Sequence, residues 1–458
     1  MKTSENNKKS ATDSKTNPRD PRTELSRRKL LERTLFGTGL LGLRSLASGI
    51  PVSILKNPHS APRDLDAAAD CPSANPQYVI LNSLGSGDPV NANVPGMYED
   101  PVISHPLDPT MAPAQMTLGG QTYTAATPWT QLPQWVLDRT CFFHHGTYTV
   151  VHSDISKVLT LEAAVLHQEM LVSMLSANLA PCLGTIQSQP ITLAPEITYQ
   201  GAPQPILPAT ALASLLANPS GMLGQLQSLR DADLNRLNAI YRAEGNAAQR
   251  AFLDQYALSQ VQARNLSLSL LSQLSAIKNN SAASQITAAV TLIQMKVSPV
   301  VAISIPFGGD NHTDVNFASE TAQTVSGVAN IASLQAQLQA AGIADNVSYM
   351  SLNVFGRTLL RTDGRDHNQN HHVMVMIGKP FQGSVVGGVE PSGPNHLNAM
   401  SLNSTTGDGV PGGHGDVPFA QTLAAAGKTV AFGAGVDPAV IDANISGGKV
   451  IGGALAAS

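Results

Sequence analysis

The chain has 458 residues, of which only 13% are charged and 4% aromatic, and carries a formal net charge of −4; that length supports one large core or two domains. The charge is uneven: the first 49 residues hold 11 of the 28 basic and 5 of the 32 acidic residues, leaving 17 basic against 27 acidic, a net of −10, in the remainder. This acidic balance argues against nucleic acid or an anionic membrane as partner, and three cysteines with no CxxC spacing argue against a thiolate zinc site.

Residues 1–25 are polar and charged and predict a disordered leader. Ser26-Arg27-Arg28-Lys29-Leu30-Leu31 then sets an arginine pair ahead of the apolar run Thr34 to Leu43, followed by the small-residue stretch Ala47-Ser48-Gly49. The run falls short of the roughly 20 apolar residues a membrane span needs. Basic, apolar and small-residue regions in this order form a signal, and the adjacent arginines with weak hydrophobicity point to the twin-arginine route. The expectation is export of a folded protein by the twin-arginine translocase to the periplasm or beyond, with residues 1–49 removed, 50–76 a linker, and no stable membrane span. Export would permit one disulfide among Cys71, Cys141 and Cys182, and spacing does not choose the pair.

Residues 77–458 read as the folded region. Gln77 to Leu84 is a β-branched apolar run ended by Gly85-Ser86-Gly87, the pattern of a buried strand. A proline-rich irregular stretch runs to about residue 130, then a short helix at Pro133 to Asp138. A second strand is expected over Cys141 to Val151, ending at His152-Ser153-Asp154. Ile155 to Asn178 should be helical, capped by Ser153 or Asp154. A helical segment follows from about 208 to 295, in which Leu223, Leu226, Leu234, Leu237 and Tyr241 share one face, as do Leu266, Leu270, Leu274 and Ile277; these stripes are core packing. Strands return at Val300 to Pro306, Val347 to Phe355 and His372 to Ile377, with a helix from about Ala318 to Ala341 among them. Beyond Gly383 the chain is glycine-rich and loop-like, with one helix near Pro418 to Ala426. Strands alternating with helices predict an α/β fold with a central mixed, mostly parallel sheet flanked by helices and carrying a helical insertion.

Ligands in such sheets sit beyond the carboxyl ends of strands. Asp88 follows the first strand, His152-Ser153-Asp154 the second, Asp310 and His312 the third, and Asp366 and His367 the fourth and its loop. Carboxylates with imidazoles are the donor set of zinc, manganese or iron, and two such groups suit a metal pair that lowers the pKa of an attacking hydroxyl. D-x-H after a double glycine is hard to assign to packing, and Asp366-His367 is similar. His144 and His145 read as structural, His414 as either surface or site, and at most one of His371 and His372 should reach the site, because adjacent strand residues face opposite ways. Gly427-Lys428-Thr429 lacks the upstream glycine of a phosphate loop, that position being Thr422, and no GxSxG elbow occurs at a strand–helix turn.

At these residues the sequence resembles the twin-arginine-exported family catalogued as domain of unknown function 1501, grouped with the alkaline phosphatase and sulfatase superfamily. Gly85-Ser86-Gly87-Asp88-Pro89-Val90-Asn91 with Pro95 is similar to its GGxDGLN…P element. Phe307-Gly308-Gly309-Asp310-Asn311-His312 is similar to its GWDTH element, and Phe355-Gly356-Arg357-Thr358 with Gly364-Arg365-Asp366-His367 to its FGRT…GTDH pair. Val354 stands where the family has an acidic residue, and Pro89 and Asn368 stand where it has glycine. The resemblance implies an alkaline phosphatase-like fold with Asp88, Asp310, His312, Asp366 and His367 as metal ligands. Ser153 is the best-placed nucleophile, with Thr147 and Thr149 as rivals, and Arg357 or Arg365 would stabilise an anionic transition state. The activity implied is hydrolysis of phosphate or sulfate esters of a small anionic substrate with one or two divalent metals; the alternative is a non-catalytic binding or structural protein retaining the fold.

Overall fold

The structure, a computed structural model, describes residues 75–216, 270, 272–360, 364–393 and 396–457. The proposed signal, the linker up to residue 74, Cys71 and the stripes at 223–241 and 266 lie outside the described residues.

Seven strands form one central sheet: Tyr78–Asn82 (β1), Thr140–His145 (β2), Ile191–Thr192 (β3), Val300–Ile303 (β4), Val347–Ser351 (β5), His372–Ile377 (β6) and Ser384–Val386 (β7). Their order is β7-β2-β6-β5-β1-β4-β3. β6 pairs antiparallel with β2 and β5, and every other pairing is parallel. The architecture is thus mixed α/β with a mostly parallel sheet, as the alternation of elements predicts. β1, β2, β4 and β5 point the same way, so their carboxyl ends share one edge, and the reversed β6 brings His371 and His372 to that edge at its amino end.

Six of the seven strands, all but β7 at the edge, are wholly buried. Every residue of β1 is buried, and each such aliphatic side chain contributes about 1.5–3 kcal/mol of transfer free energy. One face of the sheet (Val79, Leu81, Cys141, Phe143, Met374, Met376) packs under helices Leu171–Leu183 (α1) and Thr422–Gly433 (α4). Ala282–Gln294 (α2) packs on β4, and Ala318–Ala340 (α3) packs on α2. Cys141 is a free buried thiol that burial pushes up to about 12, so it is unreactive. Cys182 is disulfide-bonded.

Several expectations need revision: the stretch before residue 130 holds a hairpin of Pro113–Leu118 and Gln121–Ala126, and the second strand ends at His145, not Val151. The helix predicted from Ile155 to Asn178 is split into Ile155–Leu159 and α1. Three successive residues with left-handed backbone, Leu161, Glu162 and Ala163, end the first piece, and Leu161 seats against Gly427 of α4, where a β-carbon would strike it. Gly427-Lys428-Thr429 is therefore helix packing, with Lys428 paired to Asp442 at 2.6 Å. The glycine-rich tail also holds more order than predicted: β7 joins the sheet edge, and Val389–Gly393 pairs with His396–Ala399.

Candidate metal centre

Three loops from the shared strand edge bring imidazoles and carboxylates together. The loop after β2 supplies His152, that after β4 supplies Asp310 and His312, and that after β5 supplies Arg357, Asp366 and His367. One ligand atom each from His152, Asp310 and His367 lies within 4.8 Å of the others. Asp310 carries the group: its carboxylate is 3.6 Å from His152 Nε2, 3.1 Å from His312 Nε2 and 3.0 Å from Arg357 Nη2.

Hydrogen bonds orient the rings. His152 Nδ1 is 2.8 Å from the Gly85 carbonyl and His367 Nδ1 is 2.6 Å from that of Val150. A carbonyl only accepts, so both Nδ1 atoms donate; His152 Nε2 then faces Asp310 at 3.6 Å, while His367 Nε2 lies 2.9 Å from His312 Nε2. Pinning of the outer ring nitrogen to a carbonyl is what metal-ligating histidines show. His312 differs: its Nδ1 meets the Asp366 carboxylate at 3.1 Å and its Nε2 meets His367 Nε2 at 2.9 Å. Phe355 stacks on the His367 ring, centroids 4.1 Å apart, shielding one side. Burial lowers the His367 pKa, with Arg357 and the two neighbouring histidines adding to the effect and the Val150 hydrogen bond opposing it.

Arg357 is buried, and burial lowers its pKa while Asp310 first, then Asp88 and Asp366, oppose the shift. Its Nη2 also donates to Ser86 O at 2.7 Å, while Nε–H and Nη1–H have no partner in the protein. Asp88 is placed differently from the other four expected ligands. It is fully buried, accepting from the Val90 amide, Asn353 Nδ2 and His372 Nε2. Ser153 is exposed one residue beyond His152, and no hydrogen bond ties its hydroxyl to the group. Thr149 bonds Asp154, and Thr147 is buried against the Gln369 carbonyl. Arg365 lies inside the protein, paired with Glu320 at 2.6 Å. His414 is exposed on its glycine loop.

Beside this centre lies a second, buried histidine group. His144 Nε2 donates to Pro95 O at 3.1 Å, which leaves its Nδ1 to accept from His371 Nε2 at 3.0 Å. His371 Nδ1 in turn faces Asn91 Nδ2 at 3.4 Å. His371 and His372 do face opposite ways, the latter toward Asp88. Sequence reasoning chose Ser153 from the His152-Ser153-Asp154 triplet; the imidazole before it is what reaches the centre.

No protein-family model matches this chain, and no curated protein matches it.

Proposed function

We propose that the chain is an exported metal-dependent hydrolase of phosphate or sulfate esters, with an alkaline phosphatase-like fold and kinship to the domain of unknown function 1501 family. The observation that carries the reading is the convergence of His152, Asp310 and His367 from three loops, two of them with the outer ring nitrogen pinned to a carbonyl. Two imidazoles and a carboxylate suit zinc, manganese or iron. A divalent ion held there would supply Lewis acidity toward an ester oxygen. The protein's own part is to hold and orient the anion. The two unpartnered N–H groups of Arg357 carry a desolvation cost that the oxygens of a phosphoryl or sulfuryl group would relieve. Phe355 and the His367 ring close one wall. The Ser153 hydroxyl, next to His152, is the proposed nucleophile. The disulfide at Cys182 supports an oxidising compartment and so the twin-arginine route. No described helix is long and apolar enough to cross a membrane.

One observation favours the alternative, a non-catalytic binding protein: Ser153 makes no contact with the centre by hydrogen bond. Elemental analysis of protein purified without chelator, with turnover of an aryl phosphate and an aryl sulfate, separates the two. The hydrolase reading expects bound metal and turnover in the wild type and loss of both in Asp310→Ala. Turnover should fall in Asp366→Ala. Equal metal content and rate in wild type and variants would end it, and metal without turnover in the wild type would establish the binding protein.

A further inference from the structure

Two of the loops that carry the ligands, those of Asp310 and His367, are joined by a buried polar knot. At its middle is Glu320, in the first turn of α3 and fully buried. Asp314 caps this turn, its carboxylate accepting from the Ser319 and Glu320 amides at 2.8 Å each. The Glu320 carboxylate accepts from Arg365 Nε at 2.6 Å and Nη2 at 3.2 Å, from Asn311 Nδ2 at 3.1 Å and from Asn93 Nδ2 at 3.0 Å. Asn311 stands between Asp310 and His312, and Arg365 immediately precedes Asp366 and His367. One carboxylate therefore grips two of the three ligand-bearing loops, at the residue after Asp310 and two residues before His367.

The two loops also touch directly. The Arg365 amide donates to the Asn311 carbonyl at 3.3 Å, and a β-carbon at Gly364 would overlap the His312 carbonyl. Arg365 spends its remaining donors on the carbonyls of Ser104, Thr358 and Leu359, and its guanidinium lies over the Phe317 ring at 4.4 Å. None of this reaches solvent or substrate. A burial so costly in charge, spent on the backbone beside four site residues, has a positional purpose: a metal centre binds tightly only where its ligands are held in place before the ion arrives.

We propose that Glu320, through Asn311 and Arg365, is the positioning residue that sets the spacing of Asp310 and His367. This rests on the metal-centre reading above. Two variants test it. Asn311→Ala cuts only the tie between Glu320 and the first loop, leaving the Glu320–Arg365 pair intact. Glu320→Met with Arg365→Met replaces the ion pair by apolar groups of similar length, a change that buried pairs often tolerate. Cobalt(II) titration of the full chain at 25 °C, followed by its visible absorption, reads both affinity and ligand geometry, while circular dichroism confirms that each variant is folded. The expected result is a loss of cobalt affinity of about 10-fold or more in each variant, in the range seen for outer-shell partners, with an altered visible spectrum. Affinity and spectrum matching the wild type in folded Asn311→Ala would overturn the positioning role while the metal centre stands. If the double variant does not fold, Asn311→Ala alone decides. A wild type that binds no cobalt, and is indistinguishable from His152→Ala, would overturn the metal centre and the positioning role together.

Discussion

Lowering the pH from 7 to 5 should cost this protein several kcal/mol of stability, and the cause is the histidine group behind the metal centre. His144, His145 and His371 are fully buried. Burial lowers the His144 pKa to about 4 and that of His145 to about 3, the latter helped by the neighbouring His372. Burial also sets His371 well below the ordinary imidazole value, with the adjacent histidines adding to it. The hydrogen bonds give the same answer independently. In the run from Asn91 through His371 and His144 to Pro95 O, every ring nitrogen is already a committed donor or acceptor. A proton added to either ring would set one N–H against another. The unfolded chain therefore binds more protons than the native one between the folded values and about 6.5. Stability is full above about pH 6.5 and is lost as the pH falls below it. Each group shifted this far loses about 2 kcal/mol between pH 7 and pH 5, so His144 and His145 together lose about 4 kcal/mol, with His371 adding in the same direction. Against a typical 5–15 kcal/mol of total stability that is a large fraction. Urea unfolding followed by circular dichroism at pH 7, 6 and 5 measures it. Native carboxylates with lowered pKa values, such as Asp154 and Asp345, stabilise above the unfolded carboxylate range and lose their contribution as the pH falls below it, so they do not confuse this window. A change under about 1 kcal/mol, or a pH slope unaltered in His145→Gln, would refute the claim that these rings are held neutral.

Further outcomes follow from the same geometry. His152→Ala should weaken zinc binding by at least about 10-fold, measured by competition with a chromophoric chelator, whereas Ser153→Ala should leave it unchanged because its hydroxyl makes no bond to the group. Arg365→Ala strips Glu320 of its buried partner and should cost about 3–5 kcal/mol in urea unfolding at pH 7. Gly364→Ala should lower the melting temperature and the cobalt affinity together, since its β-carbon would overlap the His312 carbonyl. Replacing Arg27 and Arg28 with lysines should leave the precursor in the cytoplasm, read by fractionation and immunoblot.

The strands were legible because they are continuous apolar runs bounded by glycine, and a run of that kind has few alternatives in an α/β chain. Ile191–Thr192 and Ser384–Val386 escaped notice for a physical reason: two or three residues are too few to show a period, and their neighbours across the sheet, not their own composition, make them strands. The break inside Ile155 to Asn178 depends on Leu161 finding room beside Gly427, more than 260 positions later. Local helical pattern cannot contain that information. At the centre, Asp310, His312, Asp366 and His367 stood out because polar groups after strand ends are expensive to explain as packing. Glu320 did not, since an acidic residue in the first turn of a helix reads as ordinary dipole compensation. Only its burial shows otherwise.

Charge explains why the site is arranged as it is. Asp310 and Asp366 converge with three imidazoles that are uncharged when unprotonated, so the loops need a cation to balance the carboxylates. Arg357 provides one, bonded to Asp310 and within electrostatic reach of Asp88 and Asp366. Asp88 is meanwhile satisfied by an amide, Asn353 and His372. A guanidinium on the interior side, with the single divalent ion proposed at His152, Asp310 and His367, would bring positive charge to both sides of Asp310. A second ion at Asp88 would have to displace three hydrogen bonds and face the Arg357 charge at close range. On the proposed reading this donor inventory favours one metal beside one fixed cation, with the unpartnered Nε and Nη1 of Arg357 as the proposed donors to the anion.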